Sequence, residues 1–131
     1  MNEPIDVVKG FVRCSVERRI ADAVACLDPE FQLHHNSHLP YAGEYRGHDG
    51  YLDLKKKMAA YWERFEPGGE AQYVPDGESA VVVIGELGGK PSHLDESIRF
   101  PVVERYEVRD GRVAEIWVLY VDTKLTPEQA G

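Results

Sequence analysis

The chain has 131 residues, 43% of them hydrophobic, and a formal net charge of −8 at pH 7. This length and composition predict one domain, residues 1–131, that buries its own core. The acidic balance argues against nucleic acid and membrane surfaces as partners, because both reward clustered Lys and Arg. The basic cluster Lys55-Lys56-Lys57 falls in a predicted helix, and we interpret it as that helix's solvated face.

The cysteines and the N-terminal residues bear on the cellular compartment. Cys14 and Cys26 lie in apolar helical segments without CxxC spacing, so we expect two reduced thiols packed in a core. Residues 1–4 lack the basic start and apolar run of a signal peptide, and no apolar stretch is long enough to span a bilayer. The sequence therefore predicts a cytoplasmic protein without disulfides.

Helical periodicity dominates the first part of the chain. Pro4 suits a first helical turn, and a stripe of apolar residues at helical spacing then runs from Ile5 to Leu27. This stripe fits either one long helix or two. Asp28-Pro29 ends the helical region, and residues 31–35 read as a short strand.

A polar loop at residues 36–47 leads into a second helical segment. Asp49 suits the N-cap of this helix, which we expect to run until Glu66-Pro67-Gly68-Gly69 stops it. One side of the helix is apolar and aromatic, with Tyr51, Leu54, Met58, Tyr61, Trp62 and Phe65. Such a stripe fits core packing and also fits the wall of a ligand pocket.

The remaining chain reads as β-structure. We expect strands at about 71–74, 79–87, 97–108 and 112–121, separated by Gly- and Pro-containing turns. Helices followed by antiparallel strands predict an α+β domain. Residues 81–84 and 116–121 are apolar on both faces, so a second copy of the chain should cover the face that the helices leave open. Asp122 should anchor the chain end through hydrogen bonds.

Two ionisable residues fall on the apolar phase of their strands. The period of two puts Glu104 on the same face as Val102, and puts His35 with Leu33 while His34 faces the other way. Burying either group costs free energy unless it is satisfied, so the two satisfy each other or line a polar pocket. We predict that His35 and Glu104 face one pocket, within direct or one-water reach of each other.

Four histidines between residues 34 and 48 raise the question of a metal site. His34 and His35 should face opposite ways, and the spacing matches no standard zinc pattern. His35, His38 and Glu104 would be the only plausible ligand set. We expect neither a metal nor another cofactor.

Residues 39–50, LPYAGEYRGHDG, and the ending at 106–117, followed by YVDT, resemble the nuclear-transport-factor-2-like (NTF2-like) superfamily. The resemblance is closest to its SnoaL-like branch, which includes ketosteroid isomerases and polyketide cyclases. It implies a cystatin-like α+β fold, in which a curved antiparallel sheet wraps around N-terminal helices to form a conical pocket. It also implies a homodimer through the outer sheet face. The superfamily hosts several reactions and non-catalytic binders, so fold alone does not identify a reaction.

The resemblance to ketosteroid isomerase carries over only in part. The isomerase's general-base aspartate falls on His35, its oxyanion-hole aspartic acid on Glu104, and its oxyanion-hole tyrosine on Phe11, which has no hydroxyl. The aromatic residue that closes the pocket in some isomerases falls on Tyr120. The acid/base aspartate of SnoaL-like cyclases falls at about Leu119, so that match fails.

We therefore predict a pocket for a small hydrophobic or amphipathic molecule, with isomerase, cyclase or hydratase chemistry by proton transfer. His35 would act as base or acid, and Glu104 would polarise a carbonyl or hydroxyl, or orient His35. The expected binding wall comprises Phe11, Leu33, His38, Tyr41, Tyr45, Met58, Trp62, Tyr106 and Tyr120. The alternatives are a non-catalytic ligand-binding module of the same fold and a dimerisation domain whose own side chains fill the pocket.

Overall fold

The computed structural model describes residues 3–121, so the predicted role of Asp122 lies outside the described residues. The helices in this range are α1 (Pro4–Val16), α2 (Ile20–Ala25) and α3 (Gly47–Tyr61). The strands are β1 (Leu27–Asn36), β2 (Gly43–Arg46), β3 (Trp62–Pro67), β4 (Gln72–Asp76), β5 (Ala80–Pro91), β6 (Ile98–Arg109) and β7 (Arg112–Tyr120). None of the helices in residues 3–121 is long and apolar enough to cross a membrane.

The strands form one seven-stranded sheet in the order β2-β1-β7-β6-β5-β3, and β4 pairs with the other end of β5. All strand pairs are antiparallel except β1 with β7, which run parallel. A parallel pair needs a long crossover, and the chain from α3 to β6 provides it. The predicted α+β class with N-terminal helices and a curled sheet is confirmed, and the parallel pair is its one departure from an antiparallel meander.

The N-terminal apolar stripe forms two helices because a left-handed residue follows α1. Arg18 has a φ of 60°, a conformation that reverses the chain direction. The Arg18 N–H donates to the Ser15 carbonyl at 3.2 Å, and the Arg19 N–H donates to the Cys14 carbonyl at 2.9 Å. These two bonds satisfy the last carbonyls of α1 before α2 begins.

The helix α3 begins and ends earlier than the sequence predicts. Its N-cap position is Arg46, whose side chain makes no capping hydrogen bond. Asp49 lies in the first turn, where a carboxylate interacts favourably with the helix dipole. The helix ends at Tyr61 because Trp62 takes an extended conformation, with φ −99° and ψ 127°. The prediction that the helix continues through Phe65 is therefore wrong.

Residues 62–67 instead form β3, which pairs with the second half of β5. The segment 88–91, predicted as a separator, is part of β5 and supplies this pairing. A Cβ atom at Gly89 would lie 2.1 Å from the Arg64 carbonyl oxygen, so the approach of β3 requires glycine there. Pairing with β5 thus decides the structure of residues 62–67, although their apolar residues have helical spacing.

The two faces of the sheet differ in what covers them. The inner face packs against the helices, and Phe31, Leu33, Phe100, Val102, Tyr106 and Ile116 are buried there. The outer face carries large apolar side chains that are 37–50% exposed, namely Val74, Ile84, Trp117 and Leu119. The thiols of Cys14 and Cys26 are both free.

Candidate functional site

His35 and Glu104 lie on the inner face of the sheet, in one row across three strands. His35 of β1 pairs with Val118 of β7, and Val118 pairs with Glu104 of β6. Paired residues on neighbouring strands share a face, so the alternation places both side chains as predicted. Their backbones are nevertheless two strand spacings apart, about 10 Å.

The predicted direct contact between His35 and Glu104 is not formed. Within residues 3–121, neither ring nitrogen of His35 has a hydrogen-bond partner. Glu104 instead accepts a hydrogen bond of 2.9 Å from the Tyr106 hydroxyl. The intervening strand β7 explains the separation, and contact through a water stays a prediction.

His35 is enclosed by aromatic rings. Its side chain is only 5% exposed, and its ring meets those of Tyr41 and Tyr120 edge-on at 5.0 and 4.5 Å between centroids. Burial lowers the pKa of His35 to about 4, so the imidazole is neutral at pH 7. A neutral imidazole offers one donor and one acceptor, and buried polar groups without partners are rare in folded proteins.

A hydrogen-bonded aromatic cluster holds the loop after β1 against the sheet. The Tyr41 hydroxyl lies 3.0 Å from the Tyr120 hydroxyl and accepts a hydrogen bond of 2.9 Å from Trp62 Nε1. The Tyr45 hydroxyl donates to the Tyr41 carbonyl oxygen at 2.6 Å. Burial raises the pKa values of Tyr41 and Tyr120, so both hydroxyls keep their protons. Tyr41 and Tyr45 are therefore buried, and the rings of Tyr41 and Tyr120 flank His35.

A cavity of about 290 Å³ opens beside His35 at the β1–β2 edge. Among the described residues it is lined by His34, His35, Asn36, Ala42, Gly43 and Glu44. This volume is just below the range of about 300–1,000 Å³ for small-molecule sites. His38, predicted in the binding wall, is exposed and is not among these lining residues.

A second polar cluster surrounds Glu104. Burial raises the pKa of this carboxyl, while the hydrogen bond from Tyr106 and the charge of Lys55 oppose the rise. The Lys55 ammonium lies over the Tyr51 ring, 5.4 Å from its centroid. Burial lowers the pKa of Lys55, and attraction to Glu104 opposes that shift.

The interpretation of Lys55 as part of a solvated face is wrong. Lys55 follows Tyr51 by four residues and precedes Met58 by three, so it lies on the apolar side of α3. Lys55 is half-buried, and its long aliphatic stem lets it pack on the apolar side while its ammonium stays charged. In the sequence, the three lysines read as one cluster. The spacing of four residues from Tyr51 would have placed Lys55 on a different side of the helix from Lys56 and Lys57.

An aromatic row connects the two charges of this cluster. Phe11 of α1 meets the rings of Tyr51 and Tyr106 edge-on, at 5.7 and 6.0 Å between centroids. Lys55 thus lies at the Tyr51 end of the row and Glu104 at the Tyr106 end. Of the other predicted wall residues, Leu33 and Trp62 are buried in the same core, and Met58 packs against it.

His34 faces the opposite side of the sheet from His35. Its ring bonds Glu115 at 2.5 Å and also bonds Glu44, and it stacks on Trp117 at 5.5 Å between centroids. Burial lowers the pKa of His34, but the two carboxylates outweigh it and raise the pKa overall. In the part of the chain described, no group of three or more His, Cys, Asp or Glu residues could hold a metal ion.

Comparisons with known proteins bear on the fold. Residues 8–116 match the family described as the SnoaL-like domain, and no curated protein matches the chain. An NTF2-like protein from Burkholderia thailandensis is similar over 100% of this chain and 99% of that chain, with a TM-score of 0.87 and 19% identity. A protein with a cystatin-like fold from Xanthomonas campestris is similar over 98% of this chain and 97% of that chain, with a TM-score of 0.84 and 20% identity.

A candidate polyketide cyclase from Pseudomonas putida is also similar, over 100% of both chains, with a TM-score of 0.80 and 12% identity. At such identities these structures show a shared fold and carry no reaction over. The family match, in contrast, spans most of the chain. The protein therefore belongs to the SnoaL-like domain family.

Proposed function

We propose that this protein binds a small hydrophobic or amphipathic carbonyl compound in the cytoplasm and catalyses proton transfer on it, as an isomerase, cyclase or hydratase. The observation that carries the proposal is the buried imidazole of His35, whose two nitrogens lack partners within residues 3–121. An unsatisfied buried group costs about 1–3 kcal/mol, which a ligand that bonds the imidazole would offset. The similarity to a candidate polyketide cyclase is consistent with this class of chemistry.

His35 suits the role of base better than that of acid. Burial keeps the imidazole neutral, and an imidazolium able to donate a proton would be scarce at pH 7. In the proposed step, a neutral His35 takes a proton from the carbon next to a carbonyl, and the electron pair moves to the carbonyl oxygen. Return of the proton to another carbon would isomerise the substrate, and attack of the enolate on a second carbonyl would cyclise it.

Glu104 suits the role of acid. Burial raises its pKa, which favours the protonated carboxyl, the form that can donate to the carbonyl oxygen. The strand β7 separates Glu104 from His35, so a substrate would have to lie along the inner face to meet both. Tyr120, whose ring meets that of His35, and Tyr106, which bonds Glu104, would provide its apolar contacts.

Deuterium exchange tests this proposal without knowledge of the substrate. Methyl ketones, β-diketones and β,γ-unsaturated ketones are incubated with the protein in D₂O, and proton NMR measures the loss of signal at the carbon next to the carbonyl. We expect wild type to accelerate exchange of at least one probe, and His35→Gln to lower that rate about 100-fold. His93→Gln is the control, because His93 is exposed in the β5–β6 connection. Exchange that does not depend on His35 would contradict the proposal.

A non-catalytic binding module is the second candidate, and the low pKa of His35 favours it. A base with a pKa of about 4 is far from the value that is optimal at pH 7. Such an imidazole would fix a hydroxyl or carbonyl group of a ligand without removing a proton. Probes that bind with His35-dependent affinity but never exchange deuterium would favour this reading.

We also propose that the protein is a homodimer through the outer sheet face. Val74, Ile84, Trp117 and Leu119 are all partly exposed on this face. Contiguous apolar surface of this kind is typical of subunit interfaces, and a second copy would cover it with the same residues. Arg105 and His34, which contact Trp117, would supply polar groups at the rim.

A further inference from the structure

We propose that Cys14 and Cys26 form a reversible disulfide when the protein meets a low-molecular-weight disulfide such as oxidised glutathione. Both thiols are free in the structure. Cys14 lies in the last turn of α1, and Cys26 is the C-cap residue of α2. The bond would therefore join the C-terminal ends of these two helices. It is independent of the proposed function, since neither thiol takes part in that chemistry.

Hydrogen bonds connect the two thiols across the turn between α1 and α2. One nitrogen of the Arg19 guanidinium donates to the Cys14 sulfur at 3.6 Å, and another pairs with the Asp22 carboxylate at 3.4 Å. The Cys26 thiol donates to the backbone carbonyl oxygen of Asp22, also at 3.4 Å. Successive contacts through Arg19 and Asp22 thus lead from one sulfur atom to the other.

The sulfur atoms are also direct neighbours. Burial raises the pKa of Cys26, and its interaction with the Cys14 thiol adds to the rise. Burial likewise raises the pKa of the Tyr51 hydroxyl, and Cys14 and Cys26, both close to it, add to that rise. Neighbouring thiols need only side-chain rotation to bond, whereas distant cysteines need movement of the backbone.

Exposure determines which thiol reacts first. Cys26 is half-buried and reachable from solvent, whereas Cys14 is only 8% exposed. In the first step the Cys26 thiolate attacks one sulfur of oxidised glutathione, forms a mixed disulfide and releases one glutathione thiolate. In the second step the Cys14 thiolate attacks the Cys26 sulfur and releases the other glutathione. One dithiol and one oxidised glutathione thus become one protein disulfide and two reduced glutathione molecules.

Arg19 favours the second step. A cation beside a thiol stabilises the thiolate, which is the form that attacks, and the Arg19 guanidinium donates to the Cys14 sulfur. Glu17 and Asp22 also pair with this guanidinium, at 3.0 and 3.4 Å. These two carboxylates weaken its effect on the thiolate but hold it in place beside Cys14.

The disulfide would fasten α1 to the sheet. The Val113 N–H of β7 donates to the Cys26 carbonyl oxygen at 2.8 Å, so the backbone at Cys26 is anchored to a strand. A covalent link from Cys26 to Cys14 would extend this anchor to α1. In a cytoplasm that keeps glutathione reduced, the bond would form only under oxidising conditions.

Mass spectrometry of the intact protein tests the disulfide directly. Reduced, folded protein is incubated with oxidised glutathione, and trypsin then places Cys14 in peptide 14–18 and Cys26 in peptide 20–46. We expect wild type to lose about 2 Da, the mass of two hydrogen atoms. The two peptides should appear as one linked species that dithiothreitol separates. Circular dichroism of each protein before the reaction checks that it is folded.

Single variants test the order of the two steps. Cys14→Ala should keep one glutathione on Cys26, because the resolving thiol is gone. Cys26→Ala should react at least about 10-fold more slowly, because Cys14 is buried. For wild type the rate should rise about 10-fold from pH 7 to pH 8, because the raised pKa of Cys26 makes its thiolate scarce at both values.

The outcomes against the proposal are specific. Wild type that stays reduced, that keeps glutathione without linking the two peptides, or that links two copies of the chain would overturn it. Amide hydrogen exchange, measured by mass spectrometry, should be slower in α1 of the oxidised protein than of the reduced protein. Equal exchange in the two forms would contradict the fastening of α1.

Discussion

His34 and His35 are consecutive residues of β1, yet they lie on opposite faces of the sheet and their pKa values shift in opposite directions. Two carboxylates raise the pKa of His34, and burial lowers that of His35 to about 4. The strand's period of two is the cause, because it places one ring among Glu44, Glu115 and Trp117 and the other among aromatic side chains. One protein therefore carries two histidines that respond differently to pH.

The ion pairs of His34 should stabilise the fold at low pH and weaken as pH rises. Its folded-state pKa lies above the unfolded value, so the contribution is complete below about pH 6.5 and is lost as pH rises through the folded pKa. We expect the stability difference between wild type and His34→Gln, measured by urea unfolding, to shrink from pH 6 to pH 9. A difference that does not vary with pH would contradict this assignment.

The contribution of His35 to folding stability should decrease as pH falls, in contrast to that of His34. Its folded-state pKa is about 4, so the neutral form contributes stability above the unfolded pKa of 6.5, and this contribution is lost as pH falls towards 4. Relative to His35→Gln, wild type should lose about 3 kcal/mol of unfolding free energy across that window. Urea unfolding between pH 4 and pH 7 measures it, and parallel curves for the two proteins would show that His35 is not buried as described.

Tyr41 should contribute more to stability than its partner Tyr120. Tyr41→Phe removes the only acceptor seen for Trp62 Nε1 within residues 3–121 and leaves a buried donor unpaired, at a cost of about 1–3 kcal/mol. Tyr120→Phe removes one hydrogen bond, of 3.0 Å, and leaves the Trp62 bond intact, so its cost should be about 1 kcal/mol. Chemical denaturation compares the two variants. Equal costs would mean that Trp62 finds another partner.

The proposed dimer makes its own prediction. Light scattering at micromolar concentration should give twice the chain mass, and Leu119→Lys should give a monomer, because Leu119 is 50% exposed in the outer face. Leu52→Lys is the matched control, since Leu52 is 42% exposed but lies on α3. A monomeric wild type, or a dimer that survives Leu119→Lys, would rule out this interface.

The sequence predicts the parts of the fold that have a regular period. Alternation alone places His35 and Glu104 on the inner face, because side chains on a strand change face at every residue. Periodicity fails where pairing decides the outcome. Residues 62–67 continue a helical stripe in the sequence but form β3. They pair with Gly88 and Gly89 of β5, where the absence of a side chain lets the two strands approach.

The candidate site was predictable to a similar degree. The inward position of Lys55 follows from its spacing to Tyr51, but its relation to Glu104 depends on how α3 packs on the sheet, which no local pattern encodes. The separation of His35 from Glu104 depends on β7 lying between β1 and β6. That strand order includes a parallel pair, whose partners are far apart in the sequence.

In the proposed site, His35 is a buried, neutral imidazole whose ring nitrogens have no hydrogen-bond partner within residues 3–121. Nitrogen-15 NMR of the histidine side chains, recorded from pH 4 to pH 8 in the free protein, measures the protonation state of this ring. We expect His35 to show no titration above about pH 5, in line with a pKa of about 4, and the pKa of His34 to lie above that of a free imidazole. A His35 titration centred near 6.5 would show a solvated or ion-paired ring and would rule out the proposed site.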